Sequence, residues 1–124
     1  MQISEKGAMM NIQIIGTKSC FDTQKAERYF KERNIDYQFR DLKEKGVSKG
    51  ELNRITQRIP AEDLIDPDSK AYKKRNMEYM VYDAEEEILE DPLLLKTPIV
   101  RNGKHKVALG HRPDIWQEWI EEEQ

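Results

Sequence analysis

Residues 12–30 read IQIIGTKSCFDTQKAERYF, and the order of types in that stretch sets the frame for the rest of the chain. Ile12, Ile14 and Ile15 form a short β-branched run, expected to be a largely buried strand that ends at Gly16. Ala26, Tyr29 and Phe30 then fall on one face at helical spacing, with Asp22 or Thr23 available as N-cap. Between strand and helix stands Cys20, the only cysteine of the chain. The spacing from Ile15 to Ala26 puts its sulfur at or just before a helix N-terminus. There the unpaired backbone N–H groups and the helix dipole favour thiolate over thiol. Lys18 and Lys25 add to that preference and Asp22 opposes it, so a pKa below the ordinary thiol value is expected.

Downstream, Tyr37 and Phe39 alternate with polar residues as a second strand before Asp41, and strand–helix–strand with a short return suggests a right-handed βαβ unit. Ser48 to Glu51 has capping-box spacing, and Leu52, Ile55 and Ile59 follow on one helix face until Pro60. Further helical segments are expected around Ala71 to Met80 and Glu85 to Leu89, with Met77, Met80, Tyr72, Tyr79 and Tyr82 as packing residues. The charges of this region read as a solvated helix surface. In TPIVRNGKHKVALG, residues 97–110, Asn102-Gly103 between alternating apolar positions signals a hairpin, Ile99 and Val100 leading in and Val107 and Leu109 leading out. Pro113 opens a last helix whose buried stripe is Ile115, Trp116, Trp119 and Ile120. The sum is an α/β protein with a four-stranded mixed sheet, in which βαβ and ββα halves flank a helical insertion at about residues 48–92. That is a thioredoxin-like arrangement. Residues 1–9 read as a flexible lead and residues 10–124 as a single domain.

Composition narrows the function classes. The 124 residues carry 21 basic and 24 acidic side chains, interspersed, for a net charge of −3. No basic stripe marks a nucleic-acid footprint, and no nucleic-acid partner is expected. No run approaches the roughly 18 apolar residues of a membrane span, and Met1 to Met9 lacks the apolar core of a signal peptide, so a cytoplasmic protein without a membrane partner is expected. One cysteine excludes an internal disulfide. With His105 and His111 as the only histidines, a His/Cys metal site is not expected.

Pro98 enters a strand, where it cannot donate to the ladder, and Thr97-Pro98 can be a cis bond or a trans edge-strand proline. In the proposed topology this strand end runs beside the cysteine loop. A cis bond would present the backbone of Thr97 to an extended thiol-bearing peptide near the sulfur. The C-x-x-T-x-K-A stretch from Cys20 to Ala26, LLLKTPIV from Leu93 to Val100, the Gly110 region and the closing Trp helix together resemble the ArsC family of thioredoxin-fold proteins. That family includes glutaredoxin-coupled arsenate reductases and the Spx transcriptional regulators. The resemblance implies a reactive Cys20 and a cis Pro98. It also implies that arsenate would be held by arginines, and there this chain departs. Thr97 stands before the proline, Lys96 is one residue early, Gln24 follows the cysteine where an arginine is common, and His111 precedes Arg112 in the third anion-binding region. Lysine and glutamine do not reproduce the planar bidentate grip of guanidinium on an oxyanion. The second cysteine of Spx proteins is here Thr23, whose hydroxyl can hydrogen-bond the thiolate or cap the helix.

The leading expectation is a monothiol oxidoreductase with Cys20 and Thr23 in the catalytic site and Thr97 and Pro98 positioning the substrate. Lys18, Gln24, Lys96, His111 and Arg112 are candidate anion or thiol contacts. No bound cofactor is expected. An external thiol, glutathione or a glutaredoxin- or thioredoxin-type protein, would resolve the mixed intermediate. The alternative is a non-enzymatic regulator that meets a protein partner through the helical insertion, and arsenate reduction ranks third.

Overall fold

The computed structural model describes residues 10–123, so the lead expected at residues 1–9 lies outside the described residues. The strands are β1 (Ile12–Gly16), β2 (Tyr37–Asp41), β3 (Ile99–Asn102) and β4 (Lys106–Leu109). Helices α1 (Phe21–Glu32), α2 (Lys49–Thr56), α3 (Ala61–Leu64), α4 (Lys70–Lys74), α5 (Ala84–Glu90) and α6 (Pro113–Glu122) join them, with single 3₁₀ turns at Met77–Tyr79 and Pro92–Leu94. The sheet order is β2-β1-β3-β4. β1 runs parallel to β2 and antiparallel to β3, which pairs antiparallel with β4. This is the α/β thioredoxin-like fold, with α2 to α5 inserted between β2 and β3.

β1 is a central strand covered on both faces, which is why isoleucines stand at successive as well as alternate positions. Ile12 and Ile14 face α1 and α6 in a core completed by Ala26, Phe30, Val100, Trp116 and Trp119. Ile15 faces the insertion, in a second core with Leu52, Ile55, Leu64, Ile88, Leu94 and Ile99. Burying each such side chain stabilises the fold by about 1.5–3 kcal/mol. The first core is rich in aromatic edges: the Tyr29 and Trp116 rings meet edge-on at 5.1 Å, and Phe30 lies 5.5 Å from Trp116.

Local rules account for most element ends. Ser48 and Glu51 form the full capping box of α2, and Pro113 occupies the first turn of α6. The first helix starts two residues earlier than the nearer expected cap would set it: Cys20 itself is the N-cap, Asp22 lies in the first turn, and Thr23 is buried. The hairpin forms, but its loop is Gly103 to His105, because Asn102 stays extended and pairs with Lys106 while Gly103 takes φ +71°. A left-handed Asn76 (φ 55°) breaks the helix expected from Ala71 to Met80, so the chain continues as a 3₁₀ turn with a period of three. That shorter period turns only Met77 inward. Tyr72 and Tyr82 pack against the second core, whereas Tyr79 and Met80 are exposed, contrary to the packing role expected for them.

Candidate active site

The end of β1 places the cysteine. A carbon atom added at Gly16 would lie 2.3 Å from Thr23 Oγ1, so only glycine lets the first turn of α1 close onto the strand. The loop is then held by the Cys20 N–H, which donates to Thr17 O at 3.1 Å, and by Gln24, whose Nε2 donates to Lys18 O at 2.6 Å. Cys20 has extended backbone angles (φ −84°, ψ 120°) at the N-cap, and its carbonyl accepts the first helical bond from the Gln24 N–H at 3.0 Å.

The second wall comes from the segment before β3. Ile65 and Leu95 form a short antiparallel bridge, within which Lys96 N–H donates to Leu64 O at 2.7 Å and Asp66 N–H to Leu94 O at 2.8 Å. Behind it, Gly110 (φ +83°) donates its N–H to Pro98 O at 2.8 Å. Pinned between these bonds, Thr97 meets the cysteine: its hydroxyl donates to Cys20 Sγ at 3.1 Å, and the thiol in turn lies 3.7 Å from Thr97 O. The Thr97–Pro98 peptide bond is cis.

Cys20 is half-buried. Burial, the largest single influence, pushes its thiol pKa up. The hydroxyls of Thr23 and Thr97 and the N–H groups of Thr23 and Asp22 together hold it below the ordinary value. The two hydroxyls are not equivalent. Thr23 Oγ1 is enclosed and makes no hydrogen bond of normal geometry among the described residues, so Thr97 is the better-defined donor. This arrangement can generate and hold a thiolate, the form that attacks sulfur or another electrophile.

None of the remaining candidates hydrogen-bonds to the sulfur among the described residues. Lys18 is exposed on the loop, and Lys25 faces Asp22 at 3.9 Å. Lys96 is half-buried, with its backbone tied to Leu64. His111 sets its ring edge-on to Trp116 at 5.6 Å, and the Arg112 guanidinium grips Asp114 at 3.0 and 3.2 Å. No group of three or more metal-ligating side chains occurs among the described residues, and none of their helices is long and apolar enough to cross a membrane.

Two features escape the sequence reading. Phe21, directly after the cysteine, is 76% exposed. Its position off the stripe of Thr23, Ala26 and Phe30 is a signal that could have found it. The Ile65–Leu95 bridge has no such signal, since a single pair of apolar residues thirty positions apart carries no periodicity.

A thioredoxin-like fold with a cysteine at the first helix N-terminus and a threonine–proline step facing it defines the class. The ArsC family profile matches residues 15–119, and the chain belongs to the ArsC family. Among solved structures, it is similar to the YffB (PA3664) protein, at 22% identity and a TM-score of 0.76, covering 89% of this chain and 99% of that one. It is also similar to an arsenate reductase (ArsC) related protein from Brucella melitensis, at 25% identity and a TM-score of 0.63, over 90% and 95% of the two chains. An arsenate reductase from Vibrio cholerae matches at 20% identity and a TM-score of 0.74, over 88% and 97%. Comparison with curated proteins found no match.

Proposed function

We propose that the protein is a monothiol oxidoreductase with Cys20 as nucleophile. The observation that carries this reading is the Thr97 hydroxyl donating to Cys20 Sγ at 3.1 Å across a half-buried helix N-terminus. The Cys20 thiolate attacks one sulfur of a disulfide. A new sulfur–sulfur bond forms to Cys20, and the other sulfur leaves as a thiolate. No second cysteine exists to complete the exchange, so an external thiolate, from glutathione or a redoxin, attacks the mixed disulfide and restores Cys20. That attack falls on the substrate sulfur and leaves a mixed disulfide of substrate and external thiol. A second external thiolate cleaves it, so two external thiols are oxidised to one disulfide as the substrate disulfide is reduced to two thiols. Thr97 and Pro98 position the substrate, and the site operates without a bound cofactor.

The test is turnover of a small disulfide with glutathione, coupled to a readout of oxidised glutathione. Wild type is expected to turn over and Cys20→Ser to fall to the uncatalysed rate; equal rates would end the proposal. A second reading, a redox-modulated interaction module in the cytoplasm, is favoured by exposed Phe21 beside the thiol and by exposed Tyr79, Met80 and Val81 on the insertion. Arsenate reduction ranks third. Among the described residues no guanidinium hydrogen-bonds at the sulfur, and Arg112 is held by Asp114.

A further inference from the structure

On the sheet face that the insertion covers, Gln38, Gln13, Arg101 and Val107 stand in one row across the four strands. Arg101 lies on a central strand and is only 7% exposed. A guanidinium so deep is ordinarily paired with a carboxylate. This one donates from Nη1 to Gln13 Oε1 at 3.1 Å, a neutral acceptor, and its Nε is enclosed without a partner among the described residues. Its Nη2 also makes no hydrogen bond among the described residues, so the Nε–Nη2 edge, the side-on fork that grips oxyanions, is left without an acceptor.

The nearby acidic group, Glu51, is already committed. Both its oxygens receive Arg40, each at 2.9 Å, and one also accepts the Ser48 N–H at 3.0 Å. Arg54, three residues further along α2, is exposed and adds its own positive field to that of Arg40 at Arg101. Among the described residues three guanidinium groups, Arg40, Arg54 and Arg101, and one carboxylate, Glu51, act on one another here, a net charge of plus two counting Arg101 itself.

We propose that this surface between β1, β3 and α2 is an anion-binding site for a dianionic phosphate group, with Arg101 as its buried anchor and Arg54 and Gln38 at its open rim. A phosphate dianion matches the excess charge and offers tetrahedral acceptors to the Arg101 edge and to Arg54 together. A monoanionic carboxylate would leave one positive charge unanswered. The site adjoins the first half of β1, whereas Cys20 follows its last residue, so phosphate binding here does not use the thiol.

The test uses the full chain labelled with ¹⁵N and titrated with inorganic phosphate at about pH 7.5, where the dianion dominates. Sodium chloride and acetate at matched ionic strength are the controls. Expected are saturable shifts of the Arg101 Nε–Hε signal and of the Gln13 and Gln38 side-chain amides. Affinity should fall about tenfold or more in Arg101→Met and severalfold in Arg54→Gln, an exposed position that leaves the fold intact, and should be unchanged in Cys20→Ser. Shifts no larger than with acetate, shifts centred on Thr17 to Thr23, or undiminished binding in either arginine variant would overturn the proposal.

Discussion

Replacing Thr97 by valine removes the hydroxyl that donates to Cys20 Sγ at 3.1 Å while keeping the branched shape of the side chain. A hydrogen bond to a charged acceptor is worth about 1.5–3 kcal/mol. Sulfur is a soft acceptor, and Cys20 is only half-buried, so solvent screening reduces this to about 1.4 kcal/mol, or roughly one pKa unit. The bond stabilises the thiolate, and its loss therefore raises the pKa. The assay is the pH dependence of Cys20 alkylation by iodoacetamide in wild type, Thr97→Val and Thr97→Ser. The valine variant should shift its midpoint up by about one unit, and the serine variant, which keeps the donor, by a few tenths at most. An unmoved midpoint in the valine variant, or an equal shift in both, would refute the role given to the hydroxyl. The same shift appears in stability. Because the folded pKa is depressed, thiolate formation stabilises the fold fully above the unfolded thiol pKa, and that gain is lost as pH falls through the folded one. Wild type should thus gain on Cys20→Ser as pH rises through that window, and Thr97→Val should narrow the window.

Gly16→Ala sets a carbon 2.3 Å from Thr23 Oγ1 and should cost about 1–3 kcal/mol in urea unfolding; Thr23→Ala in the same chain should recover most of it, and wild-type stability in the single variant would be the contrary result. Glu51→Gln keeps the capping-box acceptor but discharges the pair with Arg40, whose side chains are 17% and 18% exposed respectively, for an expected loss of about 2 kcal/mol near neutral pH. The Arg40 guanidinium is the main reason the Glu51 pKa is lowered to about 2; its contribution is complete above the ordinary carboxylate range and vanishes as pH falls through that value, so an equal gap at about pH 2.5 and pH 7 would contradict it. Trp116 is fully buried with its indole N–H unpartnered among the described residues, so Trp116→Phe should cost under about 1.5 kcal/mol while Trp116→Ala costs about 3–5 kcal/mol; thermal unfolding showing equal losses would fail that reasoning.

How much of this was legible in the sequence depends on the range of the forces involved. β1, α1 and α6 announce themselves because each buries a stripe whose period is intrinsic to the element: Ile12 and Ile14, Ala26 and Phe30, Trp116 and Ile120. The position of Cys20 at the helix N-terminus follows from the same counting, although the N-cap lies two residues before the nearer of the expected ones. The hairpin was readable but its loop was not. Asn102 can either take a positive φ or extend β3, and pairing with Lys106 decided for extension. In the insertion, α3 and the Ile65–Leu95 bridge depend on contacts between residues far apart in sequence, and Asn76 took a left-handed turn that helical spacing does not reveal. Arg101 was invisible for the same reason. A charged residue two positions before a hairpin loop reads as solvated, and only the register with Gln13, on the sheet face that the insertion covers, accounts for its burial.

The two halves of the thiol site have different origins, and this shapes what each can tune. The helix N-terminus is local. It needs Gly16, a close-packed Thr23 and the first turn of α1, all within eight residues. The Thr97 wall is assembled at long range, from Leu64 through the bridge and from Gly110 through Pro98. A change in the insertion that loosens the Lys96–Leu64 bond is therefore expected to act on Thr97 and not on the local half of the site around Cys20. Leu64 of the insertion thus holds the backbone of Lys96, the residue before the one whose hydroxyl donates to Cys20.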